Sequence, residues 1–90
     1  MTETPDARVK RLHMRSMRRG IKEMDLILSA FAGAHLAQMS DAMLTLYDAL
    51  LAENDHDIYG WVNGQFAVPA PYADLVAQIA AGAHGVTRPA

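Results

Sequence analysis

From Ile21 onward the apolar residues of this chain recur at steps of three and four: Ile21, Met24, Leu28 and Phe31, with Ile27 widening the stripe. That is the spacing of one face of an α-helix. No stretch shows the strict alternation that would set one face of a strand against a core. The same helical period returns in Val9, Leu12 and Ser16/Met17, in Met43, Leu46, Tyr47, Leu50 and Leu51, and in Tyr72, Leu75, Val76 and Ile79. The expected fold is therefore all-α, and a chain of 90 residues allows a single small domain.

Start and stop signals divide it into five helices. Thr4-Pro5-Asp6 supplies an N-cap, a proline at the first helical position and an acid in the positive first turn, and the helix runs to about Met17. Gly20 is expected to break the chain before a second helix over 21–33, with Gly33 near its end and a short link through His35 to Met39. Ser40-Asp41 caps a third helix over 41–53, though Met43 leaves the capping box incomplete. Asn54-Asp55 separates it from a short fourth helix, 56–63, which Gly64 ends. Pro71 opens a fifth over 71–82. Residues 1–83 thus read as one domain and 84–90 as a loose tail. With few aromatics available, Trp61 is expected at the centre of the core, and Tyr59 needs a partner for its hydroxyl.

Charge is segregated along the chain. Residues 1–22 hold seven Lys or Arg against Glu3 and Asp6, a net of +5, while residues 23–87 hold eight acids and no Lys or Arg, a net of −8. The sign changes within Arg18-Arg19-Gly20-Ile21-Lys22-Glu23-Met24-Asp25. On one helix Arg19 and Glu23 would form an ion pair worth only about 0.3–0.5 kcal/mol. Two features ask for more than that. Arg15, Arg18, Arg19 and Lys22 crowd like charges that need an acidic counterpart. A glycine inside a helix costs about 1 kcal/mol relative to alanine, so Gly20 suits a bend or the close approach of another backbone. An exposed Arg19, a bare Gly20 and Glu23 would together make a compact docking patch for a protein.

Other chemistry finds little support. There is no Cys, hence no thiolate, disulfide or Cys-based zinc site. His13, His35, His56 and His84 fall in separate segments, with no pair at metal-ligand spacing. Asp55 and Asp57 flank His56 but point to different sides of a helix, and Asp55 reads as a capping residue. No phosphate loop or nucleophile elbow is present. The chain reads as a non-enzyme, with no catalytic residue, no metal and no tightly bound cofactor. The basic stripe is short and carries no aromatic for base stacking, so nucleic acid is not the expected partner. No apolar run approaches the roughly 20 residues that cross a bilayer. The N-terminus lacks an apolar leader, and Glu3 and Asp6 argue against a presequence. The expected location is cytoplasmic.

Arg18-Arg19-Gly20-Ile21-Lys22-Glu23-Met24-Asp25 resembles the RGxxE signature, in fuller form RRGxxELD, of the succinate dehydrogenase flavinylation factors: the bacterial SdhE proteins and mitochondrial succinate dehydrogenase assembly factor 2. Leu50 to Gly64, containing Asp55, Asp57, Ile58, Tyr59 and Trp61, is similar to the second family motif, LLxxxDxDLYxWLxG. Met24 and Ile58 replace leucines, swaps that conserve volume. The resemblance covers residues 8–64. It implies a five-helix domain that docks on the flavoprotein subunit of succinate dehydrogenase, and often of fumarate reductase, and promotes its covalent attachment of FAD. It places partner contact on Arg19, Gly20 and Glu23, with Arg18 and Asp25 beside them, and structural work on Asp55, Asp57, Tyr59 and Trp61. FAD would then belong to the partner, and the free protein is expected to be a monomer. The alternative is a small helical regulator, antitoxin-like or binding nucleic acid or an acidic protein through its basic first helix.

Overall fold

The computed structural model describes residues 3–83. Five α-helices follow one another: α1 (Pro5–Arg15), α2 (Lys22–His35), α3 (Asp41–Leu51), α4 (Asp55–Val62) and α5 (Ala73–Ala83). Single 3₁₀ turns at Leu36–Gln38 and Ala70–Tyr72 lead from α2 toward α3 and into α5. The tail expected at 84–90 lies outside the described residues.

The caps explain where the helices begin. Thr4 accepts a hydrogen bond from the Ala7 N–H at 3.1 Å, with Pro5 at the first helical position. Ser40 accepts from Met43 N–H at 3.2 Å, so this cap forms without the second half of a capping box. Asn54, not Asp55, caps α4, accepting from His56 N–H at 2.8 Å. That corrects the expectation of a capping Asp55 and frees its carboxylate for another task. Gly33 does not end α2, which continues two residues further to His35 before tightening into the 3₁₀ turn that buries Leu36.

α2 is the central element, packing against α1, α4 and α5 and contributing Met24, Ile27, Leu28, Phe31 and Ala32 to the core. Leu12 enters from α1, Leu44, Tyr47, Leu50 and Leu51 from α3, Ile58 from α4, and Leu75, Val76 and Ile79 from α5. The fully buried aromatic is Tyr47, whose ring lies 5.5 Å from that of Phe31. Trp61 is only half-buried, at the core's edge against Tyr72 with ring centroids 5.8 Å apart. A tyrosine displaces the tryptophan from the centre because its hydroxyl finds a buried partner there. Ser16, also fully buried, lies 2.6 Å from the Tyr47 hydroxyl and donates to the Leu12 carbonyl at 2.7 Å. Met17, expected on the apolar side of α1, is instead 46% exposed, because α1 ends at Arg15 and the chain turns outward.

Candidate functional site

The turn between α1 and α2, residues 16–21, carries the first half of the charge crossover. Its left-handed residue is Arg18, with φ of +57°, and not Gly20. For an arginine that backbone costs about 1–2 kcal/mol, and two bonds hold it in place. The Arg18 N–H donates to Asp25 Oδ1 at 3.0 Å, and the Gly20 N–H donates to Asp55 Oδ2 at 2.7 Å. Asp25 therefore ties the turn to the first turn of α2, and Asp55 ties it to the start of α4.

Arg19 is not the exposed donor expected from the sequence. Its side chain is 11% exposed, and it lies before α2 rather than on one helix with Glu23. Nε donates to Asp55 Oδ1 at 2.7 Å, one terminal nitrogen to the Arg15 carbonyl at 2.9 Å, and the other to the Leu51 carbonyl at 3.0 Å. Arg15 and Leu51 are the last residues of α1 and α3, whose terminal carbonyls lack intrahelical donors. One guanidinium thus serves two negative helix ends, while its counterion Asp55 sits in the positive first turn of α4. Gly20 has a reason visible here: a Cβ built on it would lie 3.1 Å from Asp55 Oδ2, tighter than ordinary contact.

What remains available on this turn is narrower than the motif. Arg18, Gly20 and Lys22 are exposed and Glu23 is half-buried. The side chains of Arg18, Lys22 and Glu23 make no hydrogen bond or ion pair to any described residue. Ile21, the N-cap of α2, offers no side-chain acceptor, so the first N–H groups of that helix are uncapped by the chain itself. Three of the large apolar side chains left exposed are near this turn in sequence: Met17 within it, and Met14 and Leu26 on either side.

The arginines of α1 are answered within the molecule. Arg8 pairs with Asp41 at 2.8 Å, Arg11 with Glu3 at 2.8 Å and with Asp48 at 2.9 Å, and Arg15 also pairs with Asp48. Of the crowded cations, Arg15 is met by Asp48 of α3 and Arg19 by Asp55 of α4, while Arg18 and Lys22 keep no acidic partner among the described residues. Hydrogen bonding from Arg11 holds the Asp48 carboxyl below the usual carboxylate range, and does the same for Glu3. Burial pushes the Tyr47 hydroxyl up to about 12, against the opposing effect of its hydrogen bond with Ser16.

In the second motif Asp55 is joined to the turn, whereas Asp57 is exposed. Gly60 is buried beneath the Phe66 ring, which a Cβ there would strike at 2.0 Å. Sequence reasoning passed over both this contact and the Ser16–Tyr47 pair, since their partners lie far apart along the chain. A groove of about 430 Å³ beside the start of α1, lined by Val9, Leu36 and Leu44, includes no residue of the turn. Among the described residues no three His, Asp or Glu gather as a metal site. No helix there is long and apolar enough to cross a membrane.

Comparison with known proteins gives this arrangement a context. The family described as the flavinator of succinate dehydrogenase matches residues 10–83. Succinate dehydrogenase assembly factor 2 of Meyerozyma guilliermondii is 47% identical over 70 residues, covering 77% of this chain and 52% of its own length. The Candida glabrata protein of the same name is 46% identical over 72 residues, covering 79% and 47%. That of Saccharomyces cerevisiae is 45% identical over 64 residues, covering 71% and 40%. The chain spans about half the length of these relatives. All three are named as mitochondrial, which overturns the cytoplasmic placement expected from the sequence. From the family match over residues 10–83 and these identities, the chain belongs to the succinate dehydrogenase flavinator family.

Proposed function

We propose that this protein is a non-enzymatic assembly factor that docks on the flavoprotein subunit of succinate dehydrogenase and promotes its covalent attachment of FAD. The observation that carries the reading is the selective exposure of one turn. Of the charged groups around Gly20, Arg19, Asp25 and Asp55 are engaged internally, while Arg18, Lys22 and Glu23 stand without partners among the described residues. Unsatisfied charges of both signs around an uncapped helix start suit charge-assisted hydrogen bonds to another protein. FAD and its acceptor side chain belong to the partner. The helper contributes by favouring the partner conformation in which the two are held in reacting geometry.

The regulator reading, in which the basic first helix meets nucleic acid, has less support, because Arg8, Arg11 and Arg15 already have acidic partners on α3 or at Glu3. The deciding experiment produces the flavoprotein subunit with this protein, without it, or with Glu23→Ala, and reads covalent flavin as in-gel fluorescence after denaturation. Fluorescence should fall without the protein and stay low with the variant. Equal fluorescence in all three would sink the proposal.

A further inference from the structure

Arg19 and Asp55, one from each motif, lie 36 residues apart along the chain, yet a single carboxylate joins the two motifs. Resting on the docking reading above, we propose that Asp55 is the positioning residue of the docking turn. It holds Arg19 and Gly20 in the conformation the partner recognises, and Arg19 does not itself touch the partner.

Both oxygens of Asp55 are committed, Oδ1 to Arg19 Nε and Oδ2 to the Gly20 N–H, each at 2.7 Å. Gripping one side chain and the next backbone amide fixes position and direction of the turn together. Each nitrogen of the Arg19 guanidinium has an internal acceptor, and the group is nearly enclosed, which leaves it no face to offer. A Cβ on Gly20 would lie 3.1 Å from Asp55 Oδ2, so any larger residue there would press on the clamp from within. On the far side Asp25 holds Arg18 in its left-handed backbone, so the exposed residues 18 and 20 are each pinned by an acid from a different helix. A turn ordered before encounter spares association the ordering cost that a loose one would carry. Removing Asp55 should therefore weaken docking through the turn's shape while leaving Arg18, Lys22 and Glu23 in place.

The test measures binding to the immobilised succinate dehydrogenase flavoprotein subunit for wild type, Asp55→Asn, Asp57→Asn and Ile79→Val. Asp57→Asn makes the same charge change in the same first turn at an exposed site. Ile79→Val loosens the core away from the turn. Asp55→Asn should bind about tenfold more weakly or worse, the loss of one charge-assisted bond, while both controls bind as wild type. In amide proton spectra the Gly20 resonance should shift upfield in Asp55→Asn only. Should Asp55→Asn not fold, Arg19→Lys, which keeps the charge and loses the fork, carries the same expectation. Wild-type affinity in Asp55→Asn, or an equal loss in either control, overturns the positioning role. If wild type itself does not bind the subunit, the docking reading fails and this inference with it.

Discussion

Replacing Arg19 with alanine separates a residue that holds the fold from one that only meets a partner. The change removes three hydrogen bonds, at 2.7, 2.9 and 3.0 Å, and strands the Asp55 carboxylate, whose side chain is only 20% exposed. Hydrogen bonds involving a charged group are worth about 1.5–3 kcal/mol each, but those sharing one guanidinium are not additive. Breaking a buried pair by removing one partner costs about 3–5 kcal/mol, and the residual exposure here places the loss near the lower end, about 3 kcal/mol. A domain of 90 residues has a total stability of about 5–13 kcal/mol, so a quarter or more of it is at stake. Urea unfolding followed by the fluorescence of Trp61, the one tryptophan, should show the midpoint falling at constant slope. Arg19→Lys should lose about half as much, since an ammonium cannot span all three acceptors. A loss under about 1 kcal/mol for Arg19→Ala, equal to that for the exposed Arg18→Ala, would refute this account of its bonding.

Other outcomes follow from the same geometry. Because the Tyr47 hydroxyl titrates at about 12 in the fold and near 10 when unfolded, its contribution is complete below pH 10 and lost as pH rises toward 12, on the order of 2–3 kcal/mol. Tyr47→Phe should flatten that alkaline limb of a stability–pH profile, leaving the smaller share of Tyr72, whose pKa is also raised. Asp48 works in the opposite sense: its depressed pKa contributes stability above the ordinary carboxylate value that is lost as pH falls through its folded value, and Asp48→Asn should blunt the acid limb. Arg18→Gly relieves a left-handed arginine, so the thermal midpoint should hold or rise even as the exposed cation is lost. Gly33→Ala places a methyl in open space inside α2, and chemical denaturation should show a gain of about 0.4–1 kcal/mol.

Much of the fold was legible because helices are written locally. The three-and-four spacing placed four of them, the stop signals at Asn54-Asp55 and Gly64 placed the short α4, and Thr4 and Ser40 marked two of the starts correctly. Errors arose where the deciding contact came from far along the chain. Gly20 was placed correctly in the break between α1 and α2, but its reason was not legible: a glycine needed for space and one needed for a left-handed backbone look alike in sequence, and the left-handed residue is Arg18. Arg19 reads as a surface arginine until Asp55 and Leu51 are brought against it. Trp61 was favoured for the centre because aromatics are few, whereas Tyr47 gains Ser16 as a partner for its hydroxyl. The motif that marks the candidate site was visible, but the division of labour within it was not.

The ion pairs joining α1 to α3 bear on how quickly this protein would find the partner proposed above. A segment of net +5 folded against acids a few ångströms away presents a string of short dipoles, whose fields cancel at a distance. With salt of physiological strength screening beyond about 8 Å, few exposed cations remain to draw an acidic surface from afar. Encounter should then proceed near the unsteered rate of about 10⁵–10⁶ M⁻¹s⁻¹, and added salt should change it little. If the proposed docking role holds, selectivity among partners is decided after collision, in how long the complex lasts rather than how often it forms.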